Sequence, residues 1–551
     1  MSDLPHGGPA RRAFLAASAA AASLAAVSRG ALAAPAIRRF PAHDLVIRGG
    51  LVLDGRGGPG RVADVAISAG RVAEIAPRVV GQGEEELDAR GLVVAPGFVD
   101  IHSHAEGNLA DDPRLESVVR QGITTVVVGA DGSSSFTGAA DRGFAAWATQ
   151  VEGHRPAVNV AAMVGLGSVR GAVVGAANRP ATASELARMV AMVERALAEG
   201  ACGASTGLEY APGAFATLDE LIALARPLAA RRLPYASHLR NEDDRLLESI
   251  DEALAVGRGA GCPVQLSHLK QQGRRNWDKL DASLARLAAA REAGVEAWFD
   301  VYPYEAYSTG LSNLFPIAAL DGGTEAFLAR LADSAEAPAL RRQVLAKVEL
   351  LGSWDQVQIA SVRAAEDRAA EGKRLGSHAA ALGADPYDTA VALLRRSGGS
   401  VGMLGFGMSE ANIDRLLAHP WGMVCSDGGA FAVEGPTRRG SPHPRGAGTF
   451  PRVLGRFVRE RKALTLEEAI PRMTSVPAAR VGLADRGVLA PGMAGDVVVF
   501  DPATVADSAT FANPFQYPVG ITAVVVSGFI ALQGAQRSSG GTGRVLRPGA
   551  R

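Results

Sequence analysis

Cysteine is scarce in this 551-residue sequence: only Cys202, Cys262 and Cys425 occur. An odd number at scattered positions offers no disulfide framework. Cys202 and Cys262 lie in Gly/Ala-rich apolar surroundings and read as buried thiols. Cys425, just ahead of Asp427, reads as packing before reactivity. Neither sign of charge is in excess, with Lys+Arg and Asp+Glu at 57 each. Without a basic stripe or an acidic tail, nucleic acid and basic protein partners fall away, and a small-molecule substrate remains by elimination. No GxGxxG opens a helix, which counts against a dinucleotide site. No repeat occurs, and no low-complexity tract follows the N-terminal segment.

What is present begins with apolar residues, 47% of the chain, enough for a large core. The length corresponds to roughly two to four domains, although one α/β barrel can absorb much of it. The N-terminus differs from the rest. Arg11-Arg12-Ala13-Phe14-Leu15 precedes an Ala-rich run from Ala16 to Val27, followed by Ala31-Leu32-Ala33. This pattern predicts a twin-arginine export signal over 1–33, cleaved after Ala33. The run is shorter than the ~20 apolar residues of a bilayer span, so no stable membrane anchor is expected after cleavage. The implied partner is the export machinery, and the implied location is periplasmic or secreted.

Beyond the signal, short strands separated by Gly-rich turns occupy Asp44–Ile75 and return over 487–527. The two ends, 44–94 and 481–535, are expected to combine into one small β-sandwich, with 536–551 as a flexible tail. Between them, over 95–480, apolar runs alternate with helical-period segments. The runs include Thr124–Val128, Val158–Val164, Tyr235–His238, Val264–His268, Ala297–Tyr302, Val357–Ile359 and Met423–Cys425. Such βα alternation favours a parallel barrel or a doubly wound sheet. The stretch 309–353 breaks the rhythm and reads as an insert.

Chemistry concentrates at the ends of these runs. In Pro96-Gly-Phe-Val-Asp-Ile-His102-Ser-His104, alternate residues of an extended chain share a side, so both imidazoles can meet one ion. An isolated HxH is usually solvated polarity, but two further histidines, His238 and His268, also close apolar runs. Each follows a Ser and precedes a basic residue two positions on. Asp427, in Cys-Ser-Asp427-Gly-Gly, adds a carboxylate at another strand end. A metal lowers the pKa of water toward neutrality, and a nearby carboxylate can carry the released proton to a leaving nitrogen.

These motifs resemble the amidohydrolase superfamily and, within it, the D-aminoacylase (N-acyl-D-amino-acid deacylase) family. The resemblance runs from about Asp44 to Ser527. It is carried by Ala95–His104, Gly122–Gly129, Ala204–Gly213, Ser237–Glu242, Ser267–Lys270, Asp300–Tyr304, Ser426–Gly428 and His443–Gly446. It implies a TIM-like (β/α)8 barrel flanked by the β-sandwich, one or two Zn2+ ions or other divalent metals, and hydrolysis of N-acyl-D-amino acids. It implies further that His102 and His104 serve one metal and His238 and His268 the other, with Asp427 as general base and acid. Lys270, Tyr304 and Arg445 would orient substrate.

Two positions depart from the family pattern. Where the family has Asn-Cys-Gly, this chain reads Ala130-Asp131-Gly132, offering a carboxylate as metal ligand in place of a thiolate and shifting preference toward harder ions. Where a His is common, Leu166 stands here. Exported dipeptidases, cyclic-amide hydrolases and a non-catalytic periplasmic ligand-binding protein on the same scaffold are the rival readings.

Overall fold

The computed structural model describes residues 41–137, 143–538 and 540–549; the segment expected to be an export signal lies outside them. The element order is α/β throughout the interior. Among the described residues, eight parallel segments follow one another in space as they do in sequence. They are β1 (Phe98–Asp100), β2 (Ile123–Val128), β3 (Asn159–Ala162, resuming after Met163 as Val164–Gly165), β4 (Ala204–Gly207), β5 (Tyr235–His238), β6 (Val264–Leu266), β7 (Ala297–Val301) and β8 (Gly422–Val424). β3 belongs to two hydrogen-bonded groups: Met163 N–H donates to Val128 O and Val164 N–H to Gly203 O, both at 2.9 Å. The ends of the series also touch, because Asp427 N–H donates to His102 O at 2.8 Å and Ser426 N–H to Asp100 Oδ1 at 2.8 Å.

The helices between these strands form for local reasons. Ala183–Glu199 starts in a capping box between Thr182 and Glu185 and buries Met189, Val193, Ala196 and Leu197, one face at helical spacing. Leu246–Ala260 stops at Gly261, whose φ of +75° favours glycine. In-register pairing then fixes which strand ends stand side by side: Gly207 lies opposite His238.

The two chain ends meet in one sheet. Its order runs Gln536–Arg537, Phe529–Gln533, Ile521–Val526, Val497–Phe500, Val93–Pro96, His43–Val52, Arg61–Ser68 and Arg71–Ala76, with Gly83–Asp88 also pairing to His43–Val52. Val497 faces Pro96 across an antiparallel pair, so the C-terminal strands attach directly to the strand leading into β1. Alternating residues Leu45, Ile47, Val65, Ile67, Val497 and Val499 are buried in the core of this sheet.

Two expectations need correction. The insert is not confined to 309–353. Ala306–Gly310, Val401–Phe406 and Val357–Val362 form a separate antiparallel sheet, with the helices Thr324–Ala332, Ala337–Leu351, Leu375–Ala381 and Pro386–Arg396 between its strands. The Val357–Ile359 run is therefore part of the insert: an apolar run specifies burial, not the direction of its partner. The C-terminal segment is not a loose tail either. Val160 N–H donates to Arg544 O (3.0 Å), Leu546 N–H donates to Val160 O (2.8 Å), and Val545 and Leu546 are buried. Two buried apolar side chains and the backbone bonds to β3 offset the ordering entropy of that segment.

Candidate active site

All the strand-end groups converge. Asp131 Oδ2 lies 3.4 Å from His102 Nε2, 3.4 Å from His104 Nε2, 3.7 Å from His238 Nδ1 and 3.6 Å from His268 Nε2. Asp427 Oδ1 stands 3.5 Å from His102 Nε2 and 3.2 Å from His104 Nε2. These groups form two overlapping sets with metal-ligand spacing, His102–His104–Asp131–Asp427 and Asp131–His238–His268. Asp131 is common to both. It occupies the position where the family pattern has a thiolate, and an oxygen there can serve either set.

Backbone geometry holds the groups in place. Asp131 (φ 50°), His268 (φ 35°) and Asp427 (φ 48°) all adopt positive φ, which costs of order 1–3 kcal/mol for a non-glycine residue and gathers at functional sites. Glycines permit the close approach. A Cβ on Gly129 would lie 2.2 Å from Met163 O, and one on Gly207 would lie 2.2 Å from Asp131 O.

The electrostatics are those of a site that calls for a cation. Burial alone would lower the imidazole pKa values, yet Asp131 and Asp427 outweigh it and push His104 up to about 10. Burial acts the same way on His238, and Glu242, Asp131 and Glu209 push it up to about 10. Burial would raise the Asp427 carboxyl, but Arg445 and His102 hold it far below the ordinary carboxylate range. Without a metal, protons answer the negative charge. Three buried atoms, His102 Nε2, His238 Nε2 and Asp131 Oδ1, also have no hydrogen-bond partner. Buried polar atoms left bare in this way are rare unless something binds them. The donor set of imidazoles and carboxylates therefore fits Zn2+ or another borderline divalent ion.

Around this cluster stand Lys270 and Arg445, expected as substrate contacts, and Asp300, Glu242, Glu209, Tyr302 and His443, which the motifs contained but whose roles were not foreseen. His102 Nδ1 faces Asp300 Oδ1 at 3.3 Å, the carboxylate–histidine pairing that orients a ligand imidazole. Glu242 accepts both bonds from Lys270 Nζ at 2.7 Å and lies 3.2 Å from His268 Nδ1. Lys270 Nζ is itself 2.7 Å from His268 Nδ1. Glu209 Oε2 stands 3.5 Å from His238 Nε2. Arg445 Nη1 lies 2.7 Å from Asp427 Oδ2, and its guanidinium stacks over the Tyr302 ring at 4.6 Å. His443 fixes Arg445 in turn: its Nδ1 accepts the Arg445 N–H (3.0 Å) and its Nε2 donates to Ala306 O (2.9 Å). Their signal was position alone, within or beside the segments that carry the strand-end histidines.

A cavity of about 420 Å3 opens over the cluster, lined by His104, Asp131, His238, Lys270, Tyr302 and Arg445 among others. Tyr304, expected to orient substrate, is not among its lining residues. β7 ends at Val301, and Tyr304 N–H turns back onto Tyr302 O (3.1 Å), so the two rings do not share a side. The Tyr304 hydroxyl instead donates to Asp507 Oδ2 at 3.4 Å, with its ring against His443 and Phe511. Tyr302 lines the cavity where Tyr304 does not. Leu166 opens the helix Leu166–Val173 and is buried away from the cavity. Cys425 is buried close to Asp300 and His102, and burial raises its thiol well above the ordinary value, so it stays protonated.

Buried imidazoles and carboxylates meeting at the ends of parallel strands form a site suited to metal-dependent hydrolysis. Comparison with known proteins narrows that class. The amidohydrolase family model Amidohydro_3 matches residues 85–531. N-acyl-D-glutamate deacylase of Alcaligenes xylosoxydans xylosoxydans is 38% identical over 520 residues, covering 92% of this chain and 96% of that protein. The crystal structure of N-acyl-D-glutamate deacylase from Bordetella bronchiseptica, complexed with zinc and a phosphonate mimic of the tetrahedral intermediate, superposes with a TM-score of 0.79 at 38% identity, covering 92% of this chain and 99% of that one. A D-aminoacylase with a binuclear metal centre superposes with a TM-score of 0.77 at 33% identity, covering 92% and 100%. The chain belongs to the amidohydrolase family, in its D-aminoacylase branch.

Proposed function

We propose that this protein hydrolyses N-acyl-D-amino acids to a D-amino acid and a carboxylate, using one or two divalent ions held by His102, His104, Asp131, His238, His268 and Asp427. The observation that carries the reading is Asp131 Oδ2 within 3.7 Å of four strand-end imidazole nitrogens, beside Asp427. A divalent ion bound there supplies Lewis acidity, polarising the amide carbonyl and lowering the pKa of water. The protein's own groups do the rest. Arg445 keeps Asp427 ionised, so Oδ1 is free to accept a proton from the attacking water. The same oxygen returns that proton to the amide nitrogen as the C–N bond breaks, and the water oxygen stays on the acyl carbon. Lys270, Tyr302 and Arg445 line one side of the cavity and are the groups that would receive the substrate carboxylate.

Two finer structural readings accompany this proposal. The sequential order of the eight parallel segments and the bonds between the ends of β1 and β8 support a closed TIM-like barrel. The sheet shared by the chain ends supports the β-sandwich. The Arg11-Arg12 segment supports twin-arginine export to the periplasm, and fractionation of cells carrying an Arg11→Lys, Arg12→Lys variant tests it: retention inside the cytoplasm is expected.

A panel of N-acyl-D-amino acids, their L-enantiomers, dipeptides and hydantoins tests the activity. Hydrolysis of the N-acyl-D-amino acids in preference to the rest supports the reading. Preference for dipeptides or cyclic amides replaces it, and binding without consumption by the metal-loaded protein refutes it.

A further inference from the structure

We propose that a second cavity, of about 630 Å3, beside the metal cluster receives the acyl chain of the substrate and selects a medium-length saturated acyl group over acetyl. This rests on the deacylase reading above.

The second cavity shares Glu209, Tyr210, Thr309 and Gly310 with the catalytic one, so the two adjoin across a common rim. Two side-chain hydrogen bonds cross that rim: Thr309 to Tyr210 Oη at 3.2 Å, and Asn313 to Glu209 Oε2 at 3.2 Å. Beyond it the lining includes Leu208, Ala214, Leu314, Phe315, Ile317 and Leu320. Leu314, Ile317 and Leu320 come from two 3₁₀ turns of the insert, Leu311–Leu314 and Ile317–Leu320, and Phe315 lies between them. Ile317, on the lip, leaves 37% of its surface exposed.

Orientation follows from charge. Lys270 follows β6 and Arg445 opens the helix Arg445–Arg452, whereas Glu209, after β4, lies on the rim between the cavities. Both cations are themselves paired, Lys270 with Glu242 and Arg445 with Asp427 at 2.7 Å, so the discrimination rests on Glu209, whose carboxylate repels another and offers it only acceptors. A substrate that presents its carboxylate to Lys270 and Arg445 and its amide to the cluster therefore directs its acyl chain across the rim. The charged groups of the second cavity are already committed: Arg240 pairs with Glu252 at 2.9 Å and Lys347 with Asp243 at 2.6 Å. Its apolar floor and paired charges suit a neutral hydrocarbon. Each methylene moved there from water is worth about fourfold in binding.

The test compares the metal-loaded full chain on N-acetyl-, N-butanoyl- and N-octanoyl-D-leucine, with N-acetyl-D-2-aminodecanoic acid placing the long chain on the amino-acid side. We expect kcat/KM for the octanoyl substrate to exceed that for acetyl by tenfold or more. Ala346→Trp, on the exposed face of the helix Ala337–Leu351 and lining the cavity, should cut that ratio at least tenfold. Ile317→Ser, at a solvent-facing turn, should lower it severalfold and serves if the Trp variant does not fold. Acetyl and octanoyl substrates within twofold of each other overturn the inference. So does an Ala346→Trp penalty that follows side-chain length instead of acyl length. Failure to hydrolyse any N-acyl-D-leucine overturns the deacylase reading itself, and this inference with it.

Discussion

Replacing Asp131 with Asn tests the feature that most distinguishes this site. Oδ2 of Asp131 lies 3.4 Å from His102 Nε2, and at an effective dielectric of ~20 a unit charge pair at that distance interacts by about 5 kcal/mol. Desolvation offsets part of this. If about half of it is felt by a bound cation, the loss is about 2.5 kcal/mol, on the order of a hundredfold in metal affinity. Asn keeps the shape and one oxygen but removes the charge, so the fold should survive. Competition with a chelator of known affinity, followed by elemental analysis, measures the change. We expect Asp131→Asn to bind Zn2+ about a hundredfold more weakly, and Asp131→Cys to retain metal while shifting preference from Mn2+ or Co2+ toward softer Cd2+. Wild-type Zn2+ affinity in Asp131→Asn would refute the reasoning, since the central oxygen would then contribute nothing to the ion.

Three further outcomes are expected. Asp427→Asn should lower kcat by about 10²- to 10⁴-fold, the range for loss of a general acid–base group, with metal content largely kept; steady-state kinetics with elemental analysis decides. Tyr302→Phe should raise KM severalfold, whereas Tyr304→Phe, whose hydroxyl donates to Asp507 outside the cavity, should leave KM within about twofold. In the metal-free protein His104 and His238 sit at about 10, above their ordinary 6.5, so their contribution to stability is full below pH 6.5 and is lost as pH rises through 10. Melting of the metal-free protein should therefore fall between pH 7 and 10, while the Zn2+-loaded protein, its imidazoles already deprotonated, should change less; an equal decline in both forms would contradict this.

Much of the site was legible because its chemistry sits where apolar runs stop. His102, His104, His238, His268 and Asp427 each end or follow such a run, and parallel pairing brings run ends together. Asp131 was legible only against the family pattern, as a carboxylate replacing a thiolate. The Tyr302–Tyr304 exchange was not legible: alternation assigns both rings to one side, and the turn at Pro303 breaks that alternation just past the strand end. Arg445 stood out as a candidate substrate contact, but its pairing with Asp427 depends on His443 and on the return of a distant segment to the cavity. The insert was read too short because Val357–Ile359 has the composition of a buried strand, and composition does not reveal antiparallel partners. The C-terminal segment escaped notice because Val545 and Leu546 are two apolar residues among Gly, Arg and Pro, too few to register as an element.

The most direct test of the central claim is release of free amine from N-acyl-D-amino acids by the Zn2+-loaded protein, measured for D- and L-enantiomers before and after chelation. The account predicts hydrolysis of the D-enantiomers, at least tenfold slower hydrolysis of the L-forms, loss on chelation and recovery on adding Zn2+. Absence of amine release from every N-acyl-D-amino acid, or hydrolysis unaffected by chelation, would contradict it.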